Sequence, residues 1–369
     1  MGRGILFLTA SRAIFLLTRL VYFFLLPRLL SSPAEYGNFV VAIGIAVAAS
    51  TVFINGTQQA VSKLSAEEPA LADAVRTAAL RSRLWICALV LLAFFFGADA
   101  LASLFNDAAL APLFRVGGIV VAANGFFAVL MGAANGTGRF GKQAFADIFM
   151  SLSKLALVLG AAAGAGSALA SISGFAGAQV LGLAIAAVLI GVRPLEGNYP
   201  FKRLWQYESA LLAFSLVMSI AVQSDLFLLK ALLPAGESAG QAGLYAAAQI
   251  FAQVPAALTM SVNLVILPVV ASAIARKADA EARESIEKLL GLALFAVLWA
   301  CLLISLNAPV LIGLVYPAEY LPAAPALRVL VFGGAAFTML SICTSIVTAA
   351  SLPRVSFVLA LVYLVATWG

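Results

Sequence analysis

Six side chains stand where apolar runs would be expected to exclude them. Arg12 and Arg19 lie seven residues apart in the first run, Asp147 and Lys154 repeat that spacing in a later one, and Gln223 and Asp225 flank Ser224 in a third. Seven residues are nearly two helical turns, so each such pair shares a helix face, with Arg19 about 10 Å along the axis from Arg12. A charge held in hydrocarbon costs about 2.5–3.5 kcal/mol on insertion scales, which makes each of these residues a candidate site residue. Arginine offers a bidentate fork to phosphate oxygens, and lysine offers a point charge. The acids can hold the cations in place or carry a coupling proton or Na⁺. The alternative is pairing among these groups, or with backbone, that only fixes helix packing. Arg12 is also close enough to the end of its run to snorkel to the interface.

Other chemistries are excluded by residue type. The chain has no histidine, which removes the commonest proton shuttle and metal ligand and rules out Ser/His/Asp and Cys/His constellations. Cys87, Cys301 and Cys343 all fall in apolar segments and read as small buried hydrophobes, with no disulfide framework or metal spacing. Gly136-Thr137-Gly138-Arg139-Phe140-Gly141-Lys142-Gln143 resembles a phosphate-binding loop, but Gln143 stands where Ser or Thr would hold Mg²⁺ and no strand precedes it. ATP binding is therefore rejected, and no cofactor is expected. No paired carboxylates suggest glycosyl chemistry. The sequons at Asn55 and Asn135 lie within the membrane or on its inner side and should stay unmodified.

The elements that must position the six residues are membrane helices. Hydrophobic residues make up 63% of the 369-residue chain and charged residues 10%, against roughly 25% in soluble proteins. Runs long enough to cross a bilayer number about eleven, near 10–30, 38–62, 84–105, 113–134, 143–163, 168–192, 207–233, 242–271, 287–306, 323–350 and 355 onward. Basic residues fill alternate gaps: Arg76, Arg81 and Arg83; Arg139 and Lys142; Arg193, Lys202 and Arg203; Arg276, Lys277, Arg283 and Lys288. The gaps between these hold only acids, Glu35, Asp107, Glu237 and Glu319. The alternation predicts a cytoplasmic N-terminus, and the net charge of +6 then reflects inward loops rather than a nucleic-acid surface. Lys63–Arg83 and Arg276–Lys288 are Ala-rich and predict helical extensions at the cytoplasmic interface. Arg28, Lys230, Arg115 and Arg328 lie near outer ends and read as interfacial anchors. Pro255 and Pro268, with Gln249, Gln253 and Asn263, predict a kinked eighth span.

A duplication relates the two halves. Pro112-Leu113-Phe114-Arg115-Val116-Gly117-Gly118 is echoed by Pro325-Ala326-Leu327-Arg328-Val329 and the pair Gly333-Gly334. Gly37-Asn38-Phe39 matches Gly243-Leu244-Tyr245, and Arg139 matches Arg354. The offsets are 206 (37 to 243), 213 (115 to 328) and 215 (139 to 354), which is six spans of about 35 residues. An even number of spans per copy predicts a parallel pseudo-twofold, with an N-terminal six-helix bundle over 1–205 and a C-terminal bundle over 206–369. On this reading the second bundle is truncated, lacking the end of span eleven and all of span twelve.

The segment Leu29-Leu30-Ser31-Ser32-Pro33-Ala34-Glu35-Tyr36-Gly37 resembles the opening of bacterial Wzx-like polysaccharide flippases. The stretch Gln223-Ser224-Asp225-Leu226-Phe227-Leu228-Leu229-Lys230, then Gly243-Leu244-Tyr245-Ala246-Ala247-Ala248 and Leu267-Pro268, is similar to the start of their second half. The Pro-x-x-Arg units and Asn135-Gly136-Thr137-Gly138-Arg139 also fit the multidrug/oligosaccharidyl-lipid/polysaccharide exporter superfamily. The resemblance implies an all-α, non-enzymatic inner-membrane protein of two six-helix bundles. It implies translocation of undecaprenyl-diphosphate-linked oligosaccharide by alternating access, with Arg19, Lys154, Arg12, Asp147, Asp225 and Gln223 lining a cationic cavity for the diphosphate. Implied partners are the lipid-linked oligosaccharide, membrane lipids and a polysaccharide polymerase or export machinery, with no nucleic acid. A drug/cation antiporter of the same superfamily is the rival, with Asp147 or Asp225 carrying the ion. A membrane polymerase or ligase would need a long outward loop, and none is present.

Overall fold

In lipid every backbone N–H and C=O must be satisfied within the protein, and a chain this apolar does so through helices. The computed structural model describes residues 2–192, 199–234, 236–255 and 279–349, and among them there is no strand. The helices are α1 Gly2–Leu29, α2 Pro33–Phe53, α3 Gln59–Glu67, α4 Ala72–Phe96, α5 Ala98–Leu104, α6 Leu110–Gly136, α7 Phe140–Ala165, α8 Ala168–Ile190, α9 Phe201–Leu232 and α10 Ser238–Ala252, followed by α11 Asp279–Leu306, α12 Ala308–Val315 and α13 Ala324–Ala349. Among the described residues, six helical segments are long and apolar enough to cross a membrane: 6–29, 33–67, 69–96, 110–136, 140–165 and 168–190. The chain is an all-α, multi-pass membrane protein. Arg193, Asn263, Leu267, Pro268, Arg276, Lys277, Arg354 and the eleventh span lie outside the described residues.

The helices form two compact units, Met1–Gly243 and Leu244–Gly369. In the first, α6 is the central post, packing on α2, α3, α4 and α8. Its small residues allow that approach: a Cβ on Gly132 would lie 2.7 Å from the Gln58 carbonyl oxygen. Val61, Leu64, Val75 and Met150 close the core around its own Leu130 and Met131. Tight packing and dispersion hold helices together here, because lipid offers little hydrophobic drive.

Two local features depart from the expected spans. The second span is one 35-residue helical run, 33–67, interrupted by a π-turn at Ile54–Gln58. The segment Lys63–Arg83, expected as a helical extension before span three, is helical, forming the end of α3 and the start of α4, but both Arg76 and Arg83 are buried in it. Helical wrapping places those two on the packed face, where loop composition alone suggested solvent. The turn 137–139 links two helices, so the glycine-rich stretch has no strand before it.

In the second unit α11 and α12 bend by 71° at Asn307. α11 packs on α13 through Val297, Cys301, Val331 and Ala335, and the Cys301 thiol donates to the Val331 carbonyl at 3.4 Å. A long helix, a short one and a second long helix follow in the same order in both units, α4–α5–α6 and α11–α12–α13. α10 ends at Ala252, three residues before Pro255.

Candidate functional site

α1 and α7 pack side by side, and this brings three of the six candidate residues together. The Asp147 carboxylate on α7 is attracted first by Lys154 on its own helix and then by Arg12 on α1. Lys154 Nζ also sits 4.7 Å from the centroid of the Phe175 ring on α8, a cation–π contact that holds the ammonium under an aromatic face. Asp147 and Lys154 are half-buried, while Arg12 is exposed. Arg19 is exposed on α1, with its guanidinium 5.7 Å from the Phe23 ring centroid. The arrangement has one acid between two cations, with Arg19 further along α1.

Asp225 and Gln223 belong to a different place. Both lie on α9, which packs on α2, and Gln223 Nε2 lies 3.0 Å from where a Cβ on Gly44 would stand. Asp225 Oδ1 accepts the Leu226 backbone N–H at 2.8 Å. The structure therefore does not gather all six residues at one point of the first unit. Two shallow apolar depressions, of about 560 and 500 Å³ on the flanks of α6, are lined by none of them.

Among the described residues, the most enclosed polar cluster is one that the sequence does not announce. Glu208, on the second turn of α9, is fully buried. Arg83 Nη2 on α4, also fully buried, donates to Glu208 Oε1 at 2.5 Å, and the Thr57 hydroxyl in the π-turn donates to the same oxygen. The Arg83 guanidinium lies 5.4 Å from the Phe53 ring centroid. Three segments distant in sequence thus meet on one carboxylate. The usable signals are the polar run Asn55-Gly56-Thr57-Gln58-Gln59 inside an apolar span and a lone Glu at the mouth of another.

α9 is tied down at both ends. Beyond Glu208, Arg203 pairs with Glu67 and Glu68, and burial, reinforced by those two acids, pushes the Tyr199 phenol up. At the other end Lys230, which sequence alone suggests as an interfacial anchor, has its side chain fully buried. It donates to Asp107 Oδ2 at 2.6 Å and to Asn38 Oδ1 at 3.1 Å. The approach of α9 to α2 encloses the lysine, and an anchor in water would have no such partners. Arg115 pairs with Asp99 at 2.8 Å on the exposed surface.

The Glu35-Tyr36-Gly37 segment also acquires a physical role. Ser32 caps α2, and the Glu35 carboxylate accepts the Ala168 N–H at 2.5 Å, so one acid caps the start of α8. Tyr36 is fully buried. At Gly37 a Cβ would lie 2.0 Å from the Ala239 carbonyl oxygen, and at Gly243 it would lie 1.9 Å from that of Pro33. Only two glycines let these helix starts touch.

Residues 25–325 match the family model described as polysaccharide biosynthesis protein. The chain belongs to that family. The fold of this chain is shared with solved transporters. An inward-facing multidrug resistance MATE family transporter of the MOP superfamily aligns with TM-score 0.66 and 16% identity, over 96% of this chain and 86% of that one. The outward-facing conformation of such a transporter gives 0.61 and 15%, over 96% and 83%. A MOP superfamily transporter from Pyrococcus furiosus, whose reverse polarity of binding pocket suggests a different function, gives 0.55 and 16%, over 96% and 84%. No curated protein sequence matches the chain. The chain thus shares its fold with membrane transporters of the MOP superfamily.

Proposed function

We propose that this transporter is a non-enzymatic flippase that moves undecaprenyl-diphosphate-linked oligosaccharide across the bacterial inner membrane for polysaccharide export. The observation that carries the reading is the polysaccharide family match on a chain whose α1–α7 pair sets two cations, Arg12 and Lys154, about one acid, Asp147, with Arg19 exposed further along α1. Cations neutralise a diphosphate, and Arg12 and Arg19 supply the forked donors that phosphate oxygens prefer. Asp147 attracts Lys154 and holds it in place. Asp225 and Gln223 form a second polar station on α9. The N-terminus lies in the cytoplasm, since the basic gaps then face inward. The two repeats divide at 205/206, and access alternates as they rock. Direction comes from an ion gradient or from a polymerase consuming the product, and ATP has no part.

The solved neighbours support a second reading, a drug/cation antiporter in which Asp147 or Asp225 carries the ion. The test that separates the two is Arg19→Ala combined with Lys154→Ala, expressed in a strain lacking the native gene. A flippase should lose surface polysaccharide by about tenfold or more while the protein stays in the membrane, a typical size for losing charge-assisted phosphate contacts. Unchanged export by that variant defeats the cationic-site assignment. Drug resistance that depends on Asp147 or Asp225 would favour the antiporter.

A further inference from the structure

Arg115 and Asp99 pair on the exposed surface, but each uses only part of its bonding capacity. Arg115 Nη2 donates to Asp99 Oδ2 at 2.8 Å, and its Nε reaches the Phe95 carbonyl at 3.5 Å. Arg115 Nη1 and Asp99 Oδ1 are left without a partner among the described residues. The guanidinium is held 5.8 Å from the Phe95 ring centroid. An exposed pair adds only about 0–1 kcal/mol to stability, so adjusting it to admit a third group costs little. The pair sits where α4 gives way to α5 and α6 is in its second turn.

The first of the two apolar depressions begins at this pair, since Arg115 is part of its wall. It runs between α4 and α6 past Phe95 and Leu92, and the second runs between α6 and α8 past Gly177 and Val180. Val116 and Ile119 line both, so the two are grooves on either side of one ridge. Their volumes, about 560 and 500 Å³, are those of ordinary ligand sites, roughly 300–1,000 Å³. Ser173 brings a hydroxyl to the second groove but donates it to the Leu169 carbonyl at 2.7 Å, which leaves that wall apolar in effect. By helical rise the walls extend about 12–20 Å from the ends of α4, α6 and α8 that lie on this side. Half of a hydrocarbon core about 30 Å thick is close to that, so the grooves have the depth of one leaflet.

We propose that the Arg115–Asp99 pair and the two grooves form one binding site for a phosphatidylethanolamine molecule. Its phosphate accepts from Arg115 Nη1, its ammonium donates to Asp99 Oδ1, and one acyl chain lies in each groove, astride Val116 and Ile119. The match is one of charge order: a cation beside an acid meets a phosphate beside an ammonium. Phosphatidylglycerol has no cation for Asp99 and adds a negative charge next to it. Phosphatidylcholine keeps the positive charge, but its quaternary nitrogen has no N–H to donate. Bilayer chains are as apolar as the grooves, so burying them gives little drive, and selectivity falls to the head group. The bound lipid bridges α4, α6 and α8 and stabilises the first unit by mass action. The site lies on other helices than Arg12, Asp147 and Lys154, and it stands whether or not the chain is a flippase.

The test is native mass spectrometry of the purified full chain in detergent, with equimolar phosphatidylethanolamine, phosphatidylglycerol and phosphatidylcholine of identical acyl chains. The wild type should retain phosphatidylethanolamine about tenfold over each of the others, as one charge-assisted hydrogen bond allows. Asp99→Asn should lose the preference over phosphatidylglycerol, and Arg115→Gln should lose selectivity among all three. Gly177→Leu fills the second groove, where a Cβ meets only the Leu157 Cδ1 at 3.7 Å, and should weaken retention of every two-chain lipid. Thermal unfolding without lipid should be nearly equal in wild type, Asp99→Asn and Arg115→Gln, because the pair is exposed. Added phosphatidylethanolamine should raise the midpoint in the wild type and not in the two variants. Equal retention of the three lipids by the wild type overturns the proposal, as does a phosphatidylethanolamine preference that survives in Asp99→Asn. Stronger retention of phosphatidylglycerol would show a plain anionic-lipid site and overturn it too.

Discussion

The Lys230 ammonium on α9 donates to the Asp107 carboxylate at 2.6 Å, and its side chain is wholly enclosed while that of Asp107 remains one-fifth exposed. Asn106, in the left-handed conformation at φ 52°, donates its amide to the Ala231 carbonyl at 3.2 Å and fixes the turn that presents Asp107. Asparagine tolerates that backbone better than most residues. A short loop thus grips both the last turn of α9 and its buried cation.

Asp107→Ala leaves an ammonium buried with only an amide oxygen to answer it. Losing one partner of a buried pair costs about 3–5 kcal/mol, whereas replacing both by apolar residues is often neutral. Thermal unfolding in detergent should therefore show a large fall for Asp107→Ala and near-recovery for Lys230→Met/Asp107→Leu. Equal falls in both variants would mean the pair's packing matters more than its charge.

Gly37→Ala and Gly243→Ala each drive a methyl into backbone oxygen of the facing segment. Backbone cannot rotate aside as a side chain can, so each should cost about 1–3 kcal/mol as overpacking does. Gly117→Ala is the control, since its new Cβ would meet Ala46 at an ordinary 3.5 Å. Unfolding midpoints of the three variants check the ranking.

Glu35→Ala removes the carboxylate that accepts the Ala168 N–H. Loss of a helix N-cap acceptor costs about 0.5–2 kcal/mol, and Ser167, which accepts the Ala170 N–H, remains as a partial cap. Amide hydrogen exchange should accelerate over 168–171 in Glu35→Ala and much less in Glu35→Gln. Exchange unchanged in Glu35→Ala would show that Ser167 alone secures the start of α8.

The spans are legible because crossing a bilayer needs about 20 apolar residues and few sequences supply that by chance. Five of the first six expected spans fall on a membrane-length helix, while the third, 84–105, covers the second half of the 69–96 helix and the short α5. The pairing of charges is not legible in the same way. Asp147 and Lys154 share a helix, so spacing alone puts them together, and Arg12 joins them through the packing of α1 on α7. Arg83 and Glu208 are 125 residues apart, and nothing in local composition tells a buried arginine from a solvated one at the edge of a span. Lys230 looks like an anchor for the same reason, its two partners lying 123 and 192 residues away. Periodicity reports which residues share a face, whereas the neighbour across the interface is decided by tertiary packing.

The π-turn at Ile54–Gln58 sets the bearing of everything after it on the 33–67 run. One residue beyond the ordinary α-helical count offsets the downstream face by about 100°, since each residue turns the helix by that amount. Up to Phe53 the run presents its surface to α6 and α9, and from Gln59 onward α3 presents Val61 and Leu64 to the core beside α6. Deleting a single residue from that turn would leave a hydrophobic rod of nearly the same length that still inserts, but with its two ends phased to the same azimuth. Thr57 would swing off the carboxylate of Glu208, and the rod could no longer address two neighbourhoods at once. Length keeps this helix in the membrane, and one surplus residue lets it serve as a joint.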